Sequence, residues 1–160
     1  MFLNRLQLIT FKNYEEVRFS FSRKITCFVG DNGAGKTNVL DGVYYLSFCK
    51  SYFNPVDSQN IMNGMDAFSV SGWYDTNGNG EDQVQCVVKR NQRKIFRYAG
   101  KEYERLSEHI GRLPCVMISP YDTNLIDGGS EERRKYIDVV ISQFDKMYLD
   151  DLINYNKVLA

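Results

Sequence analysis

Residues 24–49 read KITCFVGDNGAGKTNVLDGVYYLSFC, and this stretch decides the fold. Ile25-Thr26-Cys27-Phe28-Val29 is a short continuous apolar run, the pattern of a strand covered on both sheet faces. Val39, Leu40, Val43, Tyr44 and Leu46 then recur at helical spacing, which predicts an amphipathic helix ending near Cys49. Between strand and helix, Gly30-Asp31-Asn32-Gly33-Ala34-Gly35-Lys36-Thr37 matches G-x-x-x-x-G-K-[ST]. Such a loop folds tightly around a phosphate, so that successive N–H groups point at its oxygens while the new helix adds its positive end. Lys36 is then placed to reach the β- and γ-phosphates of ATP, and the Thr37 hydroxyl to ligate Mg2+. The four fixed positions coincide by chance in roughly 0.5% of chains this long. A glycine-rich turn with an exposed lysine is therefore the weaker reading.

On the N-terminal side, Leu6, Leu8 and Thr10 alternate on one face, and Val17, Phe19 and Phe21 repeat that period after the polar Asn13-Tyr14-Glu15 break, which predicts a hairpin. On the C-terminal side, KSYFNP reads as a loop. FSVSGWY, DQVQCVVK and RKIFRY, separated by the turn-forming clusters TNGNGE and RNQ, then predict three antiparallel strands between residues 67 and 103. Leu106 to Gly111 suggests a short helix and LPCVMIS a second buried strand. Ser130 before Glu131 and Glu132 resembles a capped, acid-first helix start, with the helix running through Ile141 and another over Lys146 to Leu159. The expected fold is α/β: a P-loop core with a mixed sheet, an antiparallel β subdomain and C-terminal helices. The sequence ends on NYNKVLA without a helix stop signal, which points to a longer natural product.

The bulk composition narrows the class. With 43% hydrophobic and 25% charged residues, 160 residues suffice for a globular core. No run nears the ~18 apolar residues that span a bilayer, and Asn4, Arg5, Lys12 and Asn13 interrupt the start before a signal-peptide core develops. A cytoplasmic protein with no membrane association is expected. Cys27, Cys49, Cys86 and Cys115 lack C-x-x-C spacing and read as buried thiols. His109 has no Cys or His neighbour to complete a zinc site and reads as an exposed helix residue. Lys plus Arg and Asp plus Glu number 20 each, giving a net charge of zero rather than a nucleic-acid footprint. No apolar strand ends in a convincing Walker-B carboxylate, because CVMIS runs into Ser119-Pro120-Tyr121-Asp122. No catalytic residue is assigned. Asn156-Lys157 is followed by Val158-Leu159 rather than the x-D that reads guanine.

Three blocks together resemble the RecF family of bacterial recombination mediators. They are LQLITFKNYEEVRFSFS with FVGDNGAGKTNVLDGVYYLS, then SPYDTNLIDGGSEERRKYIDVVISQFDKMYL, and more weakly KSYFN. The resemblance implies the N-terminal part of an ABC/SMC-type ATPase head, with an antiparallel β subdomain over 67–103 and a helical lobe starting over 129–159. The family's signature motif and Walker B belong to a C-terminal part beyond these residues. It further implies ATP-dependent homodimerisation, binding to single-strand/double-strand junctions in gapped DNA, and recombinase loading with RecO- and RecR-type mediators. The family's weak DNA-dependent ATPase activity is expected of the full-length protein, and little or none of this chain. Carried onto this sequence, Gly30 to Thr37 hold the triphosphate, Thr37 holds Mg2+, and Lys12 and Asn13 approach the phosphates or ribose.

Asp122 reads either as a metal- or water-contacting residue or as a turn cap. Arg133, Arg134 and Lys135 read either as a DNA or partner contact or as a solvated helix face pairing with Glu131 and Glu132. The run Lys89-Arg90-Asn91-Gln92-Arg93-Lys94 is the stronger electrostatic candidate for a phosphate backbone. Two other classes stay open. One is a protein-interaction module with a vestigial phosphate loop, against which the retention of Lys36 and Thr37 weighs. The other is a P-loop kinase, whose Arg-rich lid and acidic acceptor site are not evident.

Overall fold

The computed structural model describes residues 1–76 and 80–159. It divides into two compact units, Met1–Leu106 and the residues from Ser107 on. Part of the TNGNGE turn, 77–79, lies outside the described residues.

The first unit is built on a six-stranded sheet in the order β2-β1-β3-β4-β5-β6, with every pairing antiparallel. Its strands are β1 Phe2–Phe11, β2 Tyr14–Ser20, β3 Ala67–Asp75, β4 Glu81–Lys89, β5 Ile95–Tyr98 and the short β6 Lys101–Glu102. The expected three strands of 67–103 thus form, and β3 pairs directly with β1, so they continue the N-terminal hairpin rather than standing apart. Cross-strand partners Phe68 with Val88 and Val70 with Cys86 place four buried side chains on the core face of β3 and β4. Leu6 and Leu8 of β1 are fully buried, each such burial contributing about 1.5–3 kcal/mol. The alternation then breaks, because Thr10 adopts φ 49° and Phe11, not Thr10, enters the core. The Thr10 hydroxyl instead donates to the Ala67 carbonyl at 2.6 Å.

Helix α1, Lys36–Phe48, lies on this sheet. Close approach is possible because Gly42 faces Leu8, where a Cβ would come within 2.8 Å of Leu8 Cδ2, and Gly72 of β3 faces Leu46, where it would come within 2.5 Å of Leu46 Cδ1. Val39, Tyr44, Tyr45, Leu46 and Phe48 are buried, while Leu40 is about half exposed. Cys49 ends the helix at φ 57°, and the Lys94 ammonium donates to its carbonyl at 2.6 Å.

In the second unit a 3-10 turn, Pro120–Thr123, precedes α2 Asn124–Asp127, α3 Ser130–Ser142 and α4 Lys146–Leu159. Gly129, not Ser130, occupies the cap position of α3; Ser130 is already helical and its hydroxyl accepts from Arg134 at 3.0 Å. Lys146 bridges three carbonyls, those of Ser107, Glu108 and Ile110.

Several expectations are corrected. Neither 24–29 nor 113–119 is paired as a strand, and the sheet is antiparallel rather than mixed among the described residues. Ile25 and Val29 are 80% and 94% exposed, and Val116 and Ile118 are 71% and 83% exposed. A continuous apolar run makes a stable strand only with neighbours on both edges and cover on both faces, which the described residues do not supply. For the same reason Cys27 is exposed, whereas Cys49 and Cys86 are buried as expected. His109 is fully buried rather than exposed, its largely apolar ring filling core space as aromatic bodies do. Among the described residues no helix is long and apolar enough to cross a membrane.

Candidate phosphate-binding site

The loop from Gly30 to Thr37 follows segment 24–29, which is in no regular element, and enters α1 through a tight turn in which the Ala34 N–H donates to the Asp31 carbonyl at 3.3 Å. Gly33 and Gly35 sit at φ 83° and 104°, conformations that L side chains rarely adopt, so this path needs glycine at both positions. The Gly35 carbonyl accepts from the Asn38 and Val39 N–H groups and starts the helix. Gly35 has no side chain to cap with, so the Lys36 and Thr37 N–H groups, which precede the helix's own acceptors, are left for an outside acceptor.

Lys36 closes the loop. Its ammonium donates to the carbonyls of Gly30 at 2.7 Å and Asp31 at 2.6 Å, tying the loop's end to its beginning. Two of its three donors are engaged in this way, which leaves capacity for a further acceptor. Asp31, Asn32, Gly33, Ala34 and Thr37 are exposed, and Lys36 and Gly35 partly so. The donor set therefore suits a polyanion: glycine-shaped backbone N–H groups, a helix N-terminus, one ammonium and one accessible hydroxyl. The chemistry of Thr37 fits Mg2+, a hard cation that takes oxygen ligands and keeps several waters.

The β1–β2 turn, Lys12-Asn13, touches this loop. Lys12 points into the fold. Its ammonium pairs with the fully buried Asp41 carboxylate at 2.5 Å, where the Ser51 hydroxyl (2.6 Å) and the Tyr52 N–H (2.7 Å) also donate. Asn13 reaches the loop directly: its amide donates to the Ala34 carbonyl at 3.2 Å and accepts from Asn38 at 2.7 Å. Lys12 braces the helix and Asn13 the loop.

Other candidate residues are locally engaged. Asp122 accepts from the Ser119 N–H at 2.5 Å within a reciprocal capping box, the turn-cap reading. Arg133 donates to the Gly128 carbonyl at 3.0 Å and Lys135 pairs with Glu131 at 2.6 Å along α3. In the basic run, Arg90 donates to the Met65 carbonyl, Arg93 to the Glu104 carbonyl, and the part-buried Lys94 pairs with Asp57 at 2.7 Å. Lys94 thus ties the β4–β5 turn to the end of α1, while Lys89, Arg90 and Arg93 stay exposed.

Two polar centres escape sequence reasoning. For Asp41 the available signal is its charge inside an apolar helix, because a carboxylate buried there demands partners. The second centre joins Lys94, Asp57 and Tyr45, whose hydroxyl donates to Asp57. Burial, reinforced by nearby anionic groups, holds the Tyr45 hydroxyl protonated far above its ordinary range.

A loop of this sequence and shape, closed by its own lysine at the start of a sheet-packed helix, defines a P-loop protein of the nucleoside-triphosphate-binding class. The family described as RecF/RecN/SMC N terminal domain matches residues 2–120, and the chain belongs to that family. It is 54% identical over all 160 residues to the DNA replication and repair protein RecF of Bacteroides fragilis, and 50% identical over 160 residues to that of Flavobacterium johnsoniae. The chain spans only 43% and 44% of the length of these two relatives. Among solved structures, the recombination mediator protein RecF-ATP in the RecFOR pathway superimposes with a TM-score of 0.90 at 29% identity, covering 98% of this chain and 42% of that one. A chain from work on ATP-driven dimerization of SMC ATPases matches at a TM-score of 0.71 and 22% identity, over 88% of this chain and 99% of that one, and shows the shared fold.

Proposed function

We propose that this chain is the ATP-binding, N-terminal part of a RecF-type DNA repair and recombination protein. Gly30, Asp31, Asn32, Gly33, Ala34, Gly35, Lys36 and Thr37 hold the triphosphate, and the Thr37 hydroxyl is a ligand of Mg2+. The observation that carries this reading is the ammonium of Lys36 bound at 2.7 and 2.6 Å to the carbonyls of Gly30 and Asp31, beside the uncapped start of α1. A phosphate on those N–H groups gains charge-assisted hydrogen bonds, and Lys36 supplies the nearest countercharge. ATP, when bound, contributes the phosphate charge that a second head can recognise.

The domain organisation belongs to the same proposal: residues 67–103 form the antiparallel subdomain of an ATPase head and 129–159 begin its helical lobe. In the full-length protein, ATP drives homodimerisation, and the dimer binds single-strand/double-strand junctions and cooperates with RecO- and RecR-type mediators in the cytoplasm. DNA-dependent turnover of ATP is slow in the full-length protein and is assigned to no residue of this chain. The reading draws support from the RecF-ATP structure, similar over 98% of this chain.

Calorimetric titration of this chain with ATP and Mg2+, beside Lys36→Ala, tests the proposal. Binding that the substitution weakens at least about 100-fold supports it, an ammonium–phosphate contact with its hydrogen bonds being worth roughly 3 kcal/mol. Binding that is indifferent to Lys36 would place the nucleotide elsewhere.

A further inference from the structure

The β1–β2 turn does more than approach the loop. Asn13 Nδ2 donates to the Ala34 carbonyl at 3.2 Å while its Oδ1 accepts from Asn38 Nδ2 at 2.7 Å, so one side chain joins the loop to the first turn of α1. The orientation of that amide is fixed, because a carbonyl can only accept and must face the nitrogen. Gly35 sits under the same side chain: a Cβ there would lie 2.6 Å from Asn13 Nδ2 and 2.9 Å from the Tyr14 hydroxyl. Lys12, next in the turn, is anchored to Asp41 one helical turn after Thr37. The turn is thus tied to the helix as well as to the loop.

The peptide bond between Ala34 and Gly35 is trans, as are all described peptide bonds. In a trans peptide the C=O and N–H point in opposite directions. Holding the Ala34 carbonyl toward Asn13 therefore aims the Gly35 N–H away from the β1–β2 turn. We infer that Asn13 is a positioning residue of the phosphate loop, acting through the Ala34–Gly35 peptide to aim the Gly35 N–H at a bound phosphate without touching the ligand itself. The inference rests on the triphosphate reading of Gly30 to Thr37. It differs from direct contact with a ribose or base in one measurable way: its effect follows the phosphates and is independent of the nucleoside.

The test compares Mg2+-dependent binding of ATP and of inorganic tripolyphosphate to the unsubstituted chain, Asn13→Ala, Asn38→Ala and the double variant, with the melting temperature of each recorded without ligand. Asn13→Ala is expected to weaken both ligands by the same factor, about three- to tenfold, with unliganded melting within about 4 °C of the parent. Asn38→Ala, which removes only the brace on Asn13, weakens both by less, and the double variant is no weaker than Asn13→Ala alone. Loss of ATP affinity with tripolyphosphate unchanged would overturn the inference in favour of a nucleoside contact. Unchanged affinity for both would show that the loop is positioned without Asn13. If Asn13→Ala fails to fold, Asn38→Ala decides by the same two ratios. An unsubstituted chain that binds neither ligand removes the triphosphate reading, and this inference with it.

Discussion

Two apolar segments of the first unit, 24–29 and 81–89, have opposite fates. In β4, Val84 and Cys86 are fully buried and Val88 nearly so, whereas Ile25 and Val29 stand 80% and 94% exposed. Both segments are rich in β-formers, so propensity does not separate them. Pattern does: β4 alternates and needs only one covered face; β3 and β5 pair its edges, and α1 packs against it. The run before the phosphate loop is apolar at nearly every position and needs strand partners and cover on both faces. An alternating strand can be completed locally, and a continuous one cannot.

The sharpest way to break this contrast is to place the same charge in both segments. Val84→Asp is expected to remove cooperative unfolding altogether or cost at least about 4 kcal/mol, since an unpaired carboxylate would enter a closed core. Val29→Asp should change stability by no more than about 0.5 kcal/mol. Urea unfolding followed by circular dichroism measures both, and an equal loss at the two positions would end the distinction.

Asp41→Ala extends the contrast to polar groups. It leaves the Lys12 ammonium, which is 14% exposed, and the Ser51 and Tyr52 donors without their shared acceptor. The expected loss is about 3 kcal/mol. Asp122→Ala, which removes an accessible turn cap, should cost about 1 kcal/mol in the same unfolding assay.

The thiols report the contrast without any substitution. Cys27 should be alkylated on the order of 100-fold faster than Cys49 and Cys86, which react only after local opening; mass spectrometry of partially labelled chain resolves the sites. Burial pushes the Cys49 thiol up to about 12 from an ordinary 9.0. An unfolded chain therefore releases this proton near pH 9 while the folded chain keeps it, and the Cys49 contribution to stability declines as pH rises from 9 to 12.

Much of this was legible from the residues themselves. The helix of Lys36–Phe48 followed from Val39, Tyr44 and Leu46 at helical spacing, and β3, β4 and β5 from alternation between turn clusters. The G-x-x-x-x-G-K-T spacing located the candidate loop outright. What stayed hidden depends on partners distant in sequence. Thr10 leaves the alternation because its φ of 49° turns Phe11 inward, and no local pattern announces that. Lys12 sits in a turn, where a lysine reads as solvated, until Asp41 arrives from the helix 29 residues later. His109 was read as exposed from its polar character, yet its burial is decided by packing. Segments 24–29 and 113–119 were read rightly as apolar and wrongly as paired, because sequence reports the demand for neighbours and not their presence.

Backbone amide exchange, resolved by residue and measured with and without Mg2+ and ATP, tests the central claim most directly. Without nucleotide, the amides of 81–89 should exchange slowly and those of 24–37 fast. Saturating ATP should slow the amides of 30–37, above all Gly35, Lys36 and Thr37, while leaving 81–89 unchanged. Protection confined to other residues, or none despite measured binding, would contradict the assignment of Gly30 to Thr37 as the phosphate site.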